Sequence, residues 1–126
     1  VTAVQQSFPC PCCGHLTFSE PPGSYEICPV CFWEDDAVQL RWPTWAGGAN
    51  SPSLVDAQRS YAELGSMERR LLRYVRAADE SEPIDDGWRT VDPAVDHFEA
   101  RGIQEAPWPP DLTTLYWWRG SFWRRA

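Results

Sequence analysis

Lysine is absent from the 126 residues, so all 11 basic residues are arginine, and against 18 acidic residues they leave a formal charge of −7. An acidic chain without lysine is poorly suited to neutralising phosphates, on which affinity for nucleic acid mostly depends. No stretch approaches the roughly 20 apolar residues that cross a bilayer, and no charged segment followed by an apolar run marks a secretory leader. The expectation is a cytoplasmic protein without a membrane segment. Aliphatic residues are scarce too. Leu, Ile, Val and Phe supply 24 of the 126 residues, close to the composition at which a highly charged chain stays disordered. Two features offset this: eight Trp and four Tyr that can each bury a large area, and five Cys, all within the first 31 residues, where a metal would add binding free energy to folding. Length points to a single domain over 1–126.

An odd number of cysteines without a leader favours metal binding or redox chemistry over a disulfide framework. Cys10 and Cys13 form one Cys-x2-Cys pair, and Cys28 and Cys31 form another, 14 residues further on. Pro after the first Cys of each pair fixes the turn, and Gly14 allows the positive φ that closes it. Such turns aim two sulfurs at one ion while backbone amides donate to the sulfurs. A hairpin from His15–Phe18 through the Pro21-Pro-Gly-Ser24 turn to Tyr25–Ile27 would bring the pairs together. The spacing makes Cys10, Cys13, Cys28 and Cys31 the ligands of one structural zinc, with iron as the competitor in the same geometry. Cys12 is expected to stay out of the set, because adjacent cysteines cannot form the two-residue turn. His15 reads as a hydrogen-bonded hairpin residue, since four sulfurs are already available. Four protein ligands leave no place for water, which points to a structural site and against a thiol-redox or hydrolytic one.

The chain then divides into a metal-binding hairpin and loop (8–50), a helical part (53–78), and an acidic connection with a Trp-rich C-terminal extension (79–126). Ser53, with Asp56 three residues on, reads as a capping box. Leu54, Ala57, Tyr61 and Leu64 share one helical face, and Gly65 stops the helix. A second helix is expected from Ser66, with Met67, Leu71, Tyr74, Val75 and Ala78 on its inner stripe. A third is expected from the Asp92-Pro93 start to Gly102, with Val95 and Phe98 inward. Trp33, Trp42 and Trp45 are expected to pack on the metal hairpin, and the tail tryptophans to cover the same core. The fold class is thus α+β: a small zinc-ribbon-like hairpin module packed with two or three helices and an aromatic-rich C-terminal segment.

The run Cys10-Pro-Cys-Cys-Gly-His, with Tyr25-Glu-Ile-Cys-Pro-Val-Cys-Phe-Trp-Glu-Asp-Asp36, resembles the bacterial cysteine-rich CPCC family. The likeness continues through Gly47-Gly-Ala-Asn50 and Ser53-Leu54 to Tyr61, roughly residues 8 to 78. It implies a zinc-ribbon-type module, and a role as an immunity protein against bacterial toxins, which is attributed to some members of the family. The leading expectation is a non-enzymatic protein-binding module whose partner is a basic toxin. Glu34, Asp35, Asp36, Asp85 and Asp86 are the candidate partner-binding acids, drawn from the triplet after the second turn and from the acidic block 79–111. Two alternatives remain at this point. Arg69, Arg73 and Arg76, or Arg119, Arg124 and Arg125 beside Trp117, Trp118 and Trp123, would serve a zinc ribbon that binds nucleic acid. A thiol enzyme or hydrolase would need a nucleophile elbow, phosphate loop or His-Glu-x-x-His motif, and the sequence has none.

Overall fold

Two short strands open the computed structural model, which describes residues 7–124. Strand β1 (Phe8–Pro9) pairs antiparallel with β2 (Leu16–Phe18), Phe8 opposite Phe18 and Pro9 opposite Leu16, with an irregularity between the two pairs. The turn between them is the first cysteine pair itself. The expected pairing of His15–Phe18 with Tyr25–Ile27 through Pro21–Ser24 is therefore replaced. Ile27 instead bridges to Glu34 across the second cysteine pair. Each Cys-x2-Cys turn thus has its own small hairpin, because the loop-closing hydrogen bonds form within each turn and need no strand between them.

Asp36 then caps a five-residue helix, α1 (Ala37–Arg41), by accepting from Val38 N–H at 2.8 Å and Gln39 N–H at 3.3 Å. Helix α2 (Leu54–Leu64) has the expected bounds. The Ser53 hydroxyl accepts from Asp56 N–H at 3.2 Å, Gly65 closes the helix at φ +87°, and Leu54 and Ala57 are fully buried.

The expected second helix shrinks to a 3-10 helix over Arg69–Tyr74. Its flanks give their amides to the second cysteine turn: Met67 N–H donates to Cys31 O at 2.8 Å, and Arg76 N–H to Pro29 O at 3.2 Å. Met67 and Leu71 are buried as the stripe requires, but Tyr74 is 58% exposed. The expected third helix does not form. Asp92 starts a single turn, with Val95 N–H and Asp96 N–H both donating to Asp92 O at 3.1 and 2.9 Å, but the Asp96 carboxylate folds back onto Asp92 N–H and Arg89, so the chain leaves helical geometry after Val95, which points to solvent.

The acidic connection runs beside β2. Leu16 N–H donates to Pro83 O, His15 bridges to Ile84, and Asp85 N–H donates to Gly14 O at 2.8 Å. A second 3-10 helix, Leu112–Leu115, leads into the tail. Leu115, Tyr116, Trp117 and Phe122 are buried in one cluster with Trp33, Leu40, Leu54 and the cysteines. The tail covers the core, as the scarcity of aliphatic residues requires. No helix among the described residues is long and apolar enough to cross a membrane.

Candidate metal centre

The two cysteine turns repeat one another bond for bond. Cys10 N–H donates to His15 O and Gly14 N–H returns to Cys10 O, at 2.9 and 2.7 Å. Cys28 N–H donates to Trp33 O and Phe32 N–H returns to Cys28 O, at 2.9 and 2.8 Å. The residue after the second cysteine has a left-handed backbone in both, with φ +81° at Gly14 and +76° at Phe32. For Phe that conformation costs about 1–2 kcal/mol, and its ring stacks against Tyr74 at 5.7 Å, a contact that favours the strained form. At Gly14 a side chain has no room, because a Cβ would sit 2.5 Å from the Trp88 ring.

This doubled geometry brings the sulfurs of Cys10, Cys13, Cys28 and Cys31 within 4.8 Å of one another, all four buried. Cys10 Sγ lies 3.5 Å from Cys31 Sγ, and Cys13 Sγ lies 3.7 Å from Cys28 Sγ. These separations are far beyond the roughly 2.05 Å of a disulfide. They match the edge of about 3.8 Å in a tetrahedron built on metal–sulfur bonds of about 2.3 Å. Val30 N–H and the Thr17 hydroxyl donate to Cys28 Sγ at 3.4 and 3.3 Å, as expected for a sulfur that carries charge. Hydrogen bonds from Cys10, Cys13 and Cys31, joined by Thr17, hold the Cys28 thiol well below its usual value. Burial pushes the Cys10 and Cys31 thiols well above theirs. A divalent cation would reconcile these opposed tendencies by neutralising the thiolates together. The cluster can hold a metal ion, and soft zinc or iron suits its four sulfurs.

Cys12 is buried outside this cluster, and burial raises its thiol pKa. That disfavours a reactive thiolate. His15 gives its Nδ1 to a 2.7 Å hydrogen bond with Glu82 O. On the far side of the cluster, burial and then the Cys13 sulfur push the Tyr61 hydroxyl of α2 up to about 12.

The candidate partner acids do not form one surface. Asp35 is 2% exposed and accepts from Ser24 through its hydroxyl at 2.7 Å and its N–H at 3.2 Å, and burial raises the Asp35 carboxyl. Asp36 is 5% exposed and, besides capping α1, accepts from Ala49 N–H at 2.9 Å. Both are corrected from surface to interior, because the amides of Ser24, of the first turn of α1 and of Ala49 need acceptors. Glu34 is half-buried, with Asn50 bonded to both its N–H and its carbonyl at 2.8 Å. Asp85 accepts from Trp118 Nε1 at 2.7 Å and from Arg119 at 3.0 and 3.1 Å, so it too works inside the molecule. Asp86 remains exposed.

A cluster that the sequence reading missed lies beside α1. The Arg41 guanidinium bonds Glu99 at 2.6 and 2.9 Å and Ala106 O at 2.7 Å, and its carbon lies 4.6–4.8 Å from the ring centroids of Trp42, Trp108 and Trp123. Neither charged side chain is exposed. Nothing local marks Arg41 for this role, because its partners lie 58 or more residues away. Gln39 and Asn50 form a second buried polar group, joined side chain to side chain at 3.0 Å, which secures the Gly47–Asn50 loop.

Paired cysteine turns, each with its own hairpin and sharing one tetrahedral group of sulfurs, define a zinc-ribbon-like four-cysteine module. The chain belongs to the cysteine-rich CPCC family, whose sequence profile matches residues 8–82. No curated protein matches it as a relative. The matched stretch ends in the acidic connection, so Trp88 and the Trp-rich extension lie wholly outside it.

Replacing Gly14 with Ala is expected to destabilise the folded chain by about 2–4 kcal/mol. About 1–2 kcal/mol comes from the left-handed backbone, and a similar amount from displacing the Trp88 ring, within the range for overpacking. Urea unfolding of Gly14→Ala, Trp88→Ala and the double variant separates the two terms. Strict additivity in that cycle would refute the collision.

Proposed function

We propose that the protein is a non-enzymatic, partner-binding module built on one structural zinc. The observation that carries this reading is the closure of the cysteine cluster. All four sulfurs belong to residues at most 3% exposed, so an ion held by them has no open position for water or substrate. Zinc would supply charge neutralisation and cross-linking of the two turns, and recognition falls to the outer surface.

That surface is less acidic than the composition suggests. Within 79–111, Glu82, Asp85, Asp96 and Glu99 are paired with Arg76, Arg119, Arg89 and Arg41. Glu80 and Asp86 stay at the surface and favour a basic partner through faster encounter. Together with the immunity role that the family resemblance implies, this supports a basic toxin as the partner.

The test is recovery of a stoichiometric partner from host cells, followed by co-expression of that partner with and without this chain. Growth rescue by the native chain, with association slowed about tenfold by Glu80→Lys and Asp86→Lys together, is the expected result. A captured partner whose toxicity the chain leaves unchanged would refute the immunity role. A chain that turns over a substrate only when metal-loaded would refute the non-enzymatic reading.

A further inference from the structure

A hollow of about 480 Å³ lies in the C-terminal extension, wholly outside the family-matched residues. Its lining gathers three of the eleven arginines, Arg89, Arg119 and Arg124, with His97, one of the two histidines. Asp96 is the one carboxylate among the lining residues. We propose that this hollow binds a small oxyanion that carries a flat ring.

The arginines are held in different ways. Asp96 takes both terminal nitrogens of Arg89 at 2.6 and 2.8 Å, which makes that pair a fixed wall. Asp85, outside the lining, takes Nε and Nη2 of Arg119, so the guanidinium is oriented while its Nη1 has no described partner. Arg124 is the least satisfied. Its Nε is buried with no hydrogen-bond partner among the described residues, and its Nη2 reaches Glu105 at only 3.5 Å. Buried donors without an acceptor are uncommon, and the Arg124 side chain, 26% exposed, lines the open hollow, so a turn of its guanidinium toward an acceptor from outside the chain would satisfy it. A guanidinium fork suits the two oxygens of a carboxylate or phosphate.

The remaining wall is aromatic, with Trp117, Trp118 and Phe122 bordering the same space. Flat rings stack on such side chains and on guanidinium planes. The volume falls within the range of small-molecule sites, about 300–1,000 Å³. The net charge of −7 opposes an anion at long range, but screening confines that field to roughly 8 Å at physiological salt. Inside the hollow the arginines decide.

Calorimetric titration of the full, metal-loaded chain with adenosine monophosphate, benzoate and inorganic phosphate tests the proposal. One of the two ring-bearing probes is expected to bind at least about tenfold more tightly than inorganic phosphate. A preference for the nucleotide identifies a phosphate ester, and a preference for benzoate identifies a carboxylate. Arg124→Gln should weaken that probe about tenfold, Arg124→Lys should weaken it less, and Arg69→Gln, outside the hollow, should leave it unchanged. Unaltered metal content in each variant shows that the fold is retained. Absence of saturable binding by all three probes, equal binding of inorganic phosphate, or undiminished binding in both Arg124 variants and in Arg119→Gln would overturn the proposal.

Discussion

Removal of the metal is expected to unfold the chain. Structural zinc in small modules contributes about 10–16 kcal/mol of apparent binding free energy at neutral pH, whereas a whole domain is stable by about 5–15 kcal/mol. Here the sulfurs are also part of the core, in the same cluster as Trp33, Leu40, Leu54 and Tyr116. With thiols in place of a bridged ion, the two turns lose the cross-link that joins all four sulfurs. Chelation at neutral pH should abolish the far-ultraviolet signal of α2 and shift tryptophan emission to the red. Metal analysis should find one zinc per native chain, less in each single Ser variant of Cys10, Cys13, Cys28 and Cys31, and an unchanged amount in Cys12→Ser. A chelated chain with native circular dichroism and native emission would show that the centre is dispensable for folding.

Changing Glu99 to Gln should cost about 3–5 kcal/mol at pH 7, the range for breaking a buried ion pair and leaving one charge behind. Glu99 and Arg41 have fully buried side chains. The three tryptophan rings around Arg41 attract its charge but cannot replace the two carboxylate hydrogen bonds. The hydrogen bonds from Arg41 hold the Glu99 carboxyl below its ordinary value of 4.5. A carboxyl lowered on folding stabilises fully above its unfolded pKa, and the contribution is lost as pH falls through the lower folded value. The stability gap between native protein and Glu99→Gln is therefore greatest near neutrality and narrows below about pH 4.5. Acid also releases metal from thiolates, so the gap between the two proteins, followed by urea midpoints, is the informative quantity. Replacing both partners, Arg41→Met with Glu99→Leu, should recover most of the loss, because a buried pair is costly mainly when halved. A Glu99→Gln protein within about 0.5 kcal/mol of native at pH 7 would show that the pair is dispensable.

What could be read in advance follows the range of the interactions. Helix α2 was legible to the residue, because Ser53, the apolar face and Gly65 all act within one or two turns of their own position. The cysteine group was legible because spacing and turn chemistry are local, and Gly14 shows the predicted positive φ. The segments around Arg69–Tyr74 and Asp92–Gly102 have helical patterns, yet Met67, Arg76 and Glu99 bond to partners distant in sequence, which periodicity does not register. The acids Asp35 and Asp36 were read as surface because charge alone suggests solvent. Their actual surroundings depend on a tight turn and a short helix that five residues of pattern are too few to reveal. Arg41 carried no signal at all.

Arg41 lies inside the family-matched stretch, but every polar group that receives its charge, Glu99 and the carbonyl of Ala106, comes after that stretch ends, as do two of its three rings. Through this side chain the family-matched module and the tail depend on each other. A chain cut after Glu82 would leave this arginine with neither the carboxylate nor the carbonyl that takes its charge. Arg41 thus ties the stability of the cysteine module to the presence of the tail.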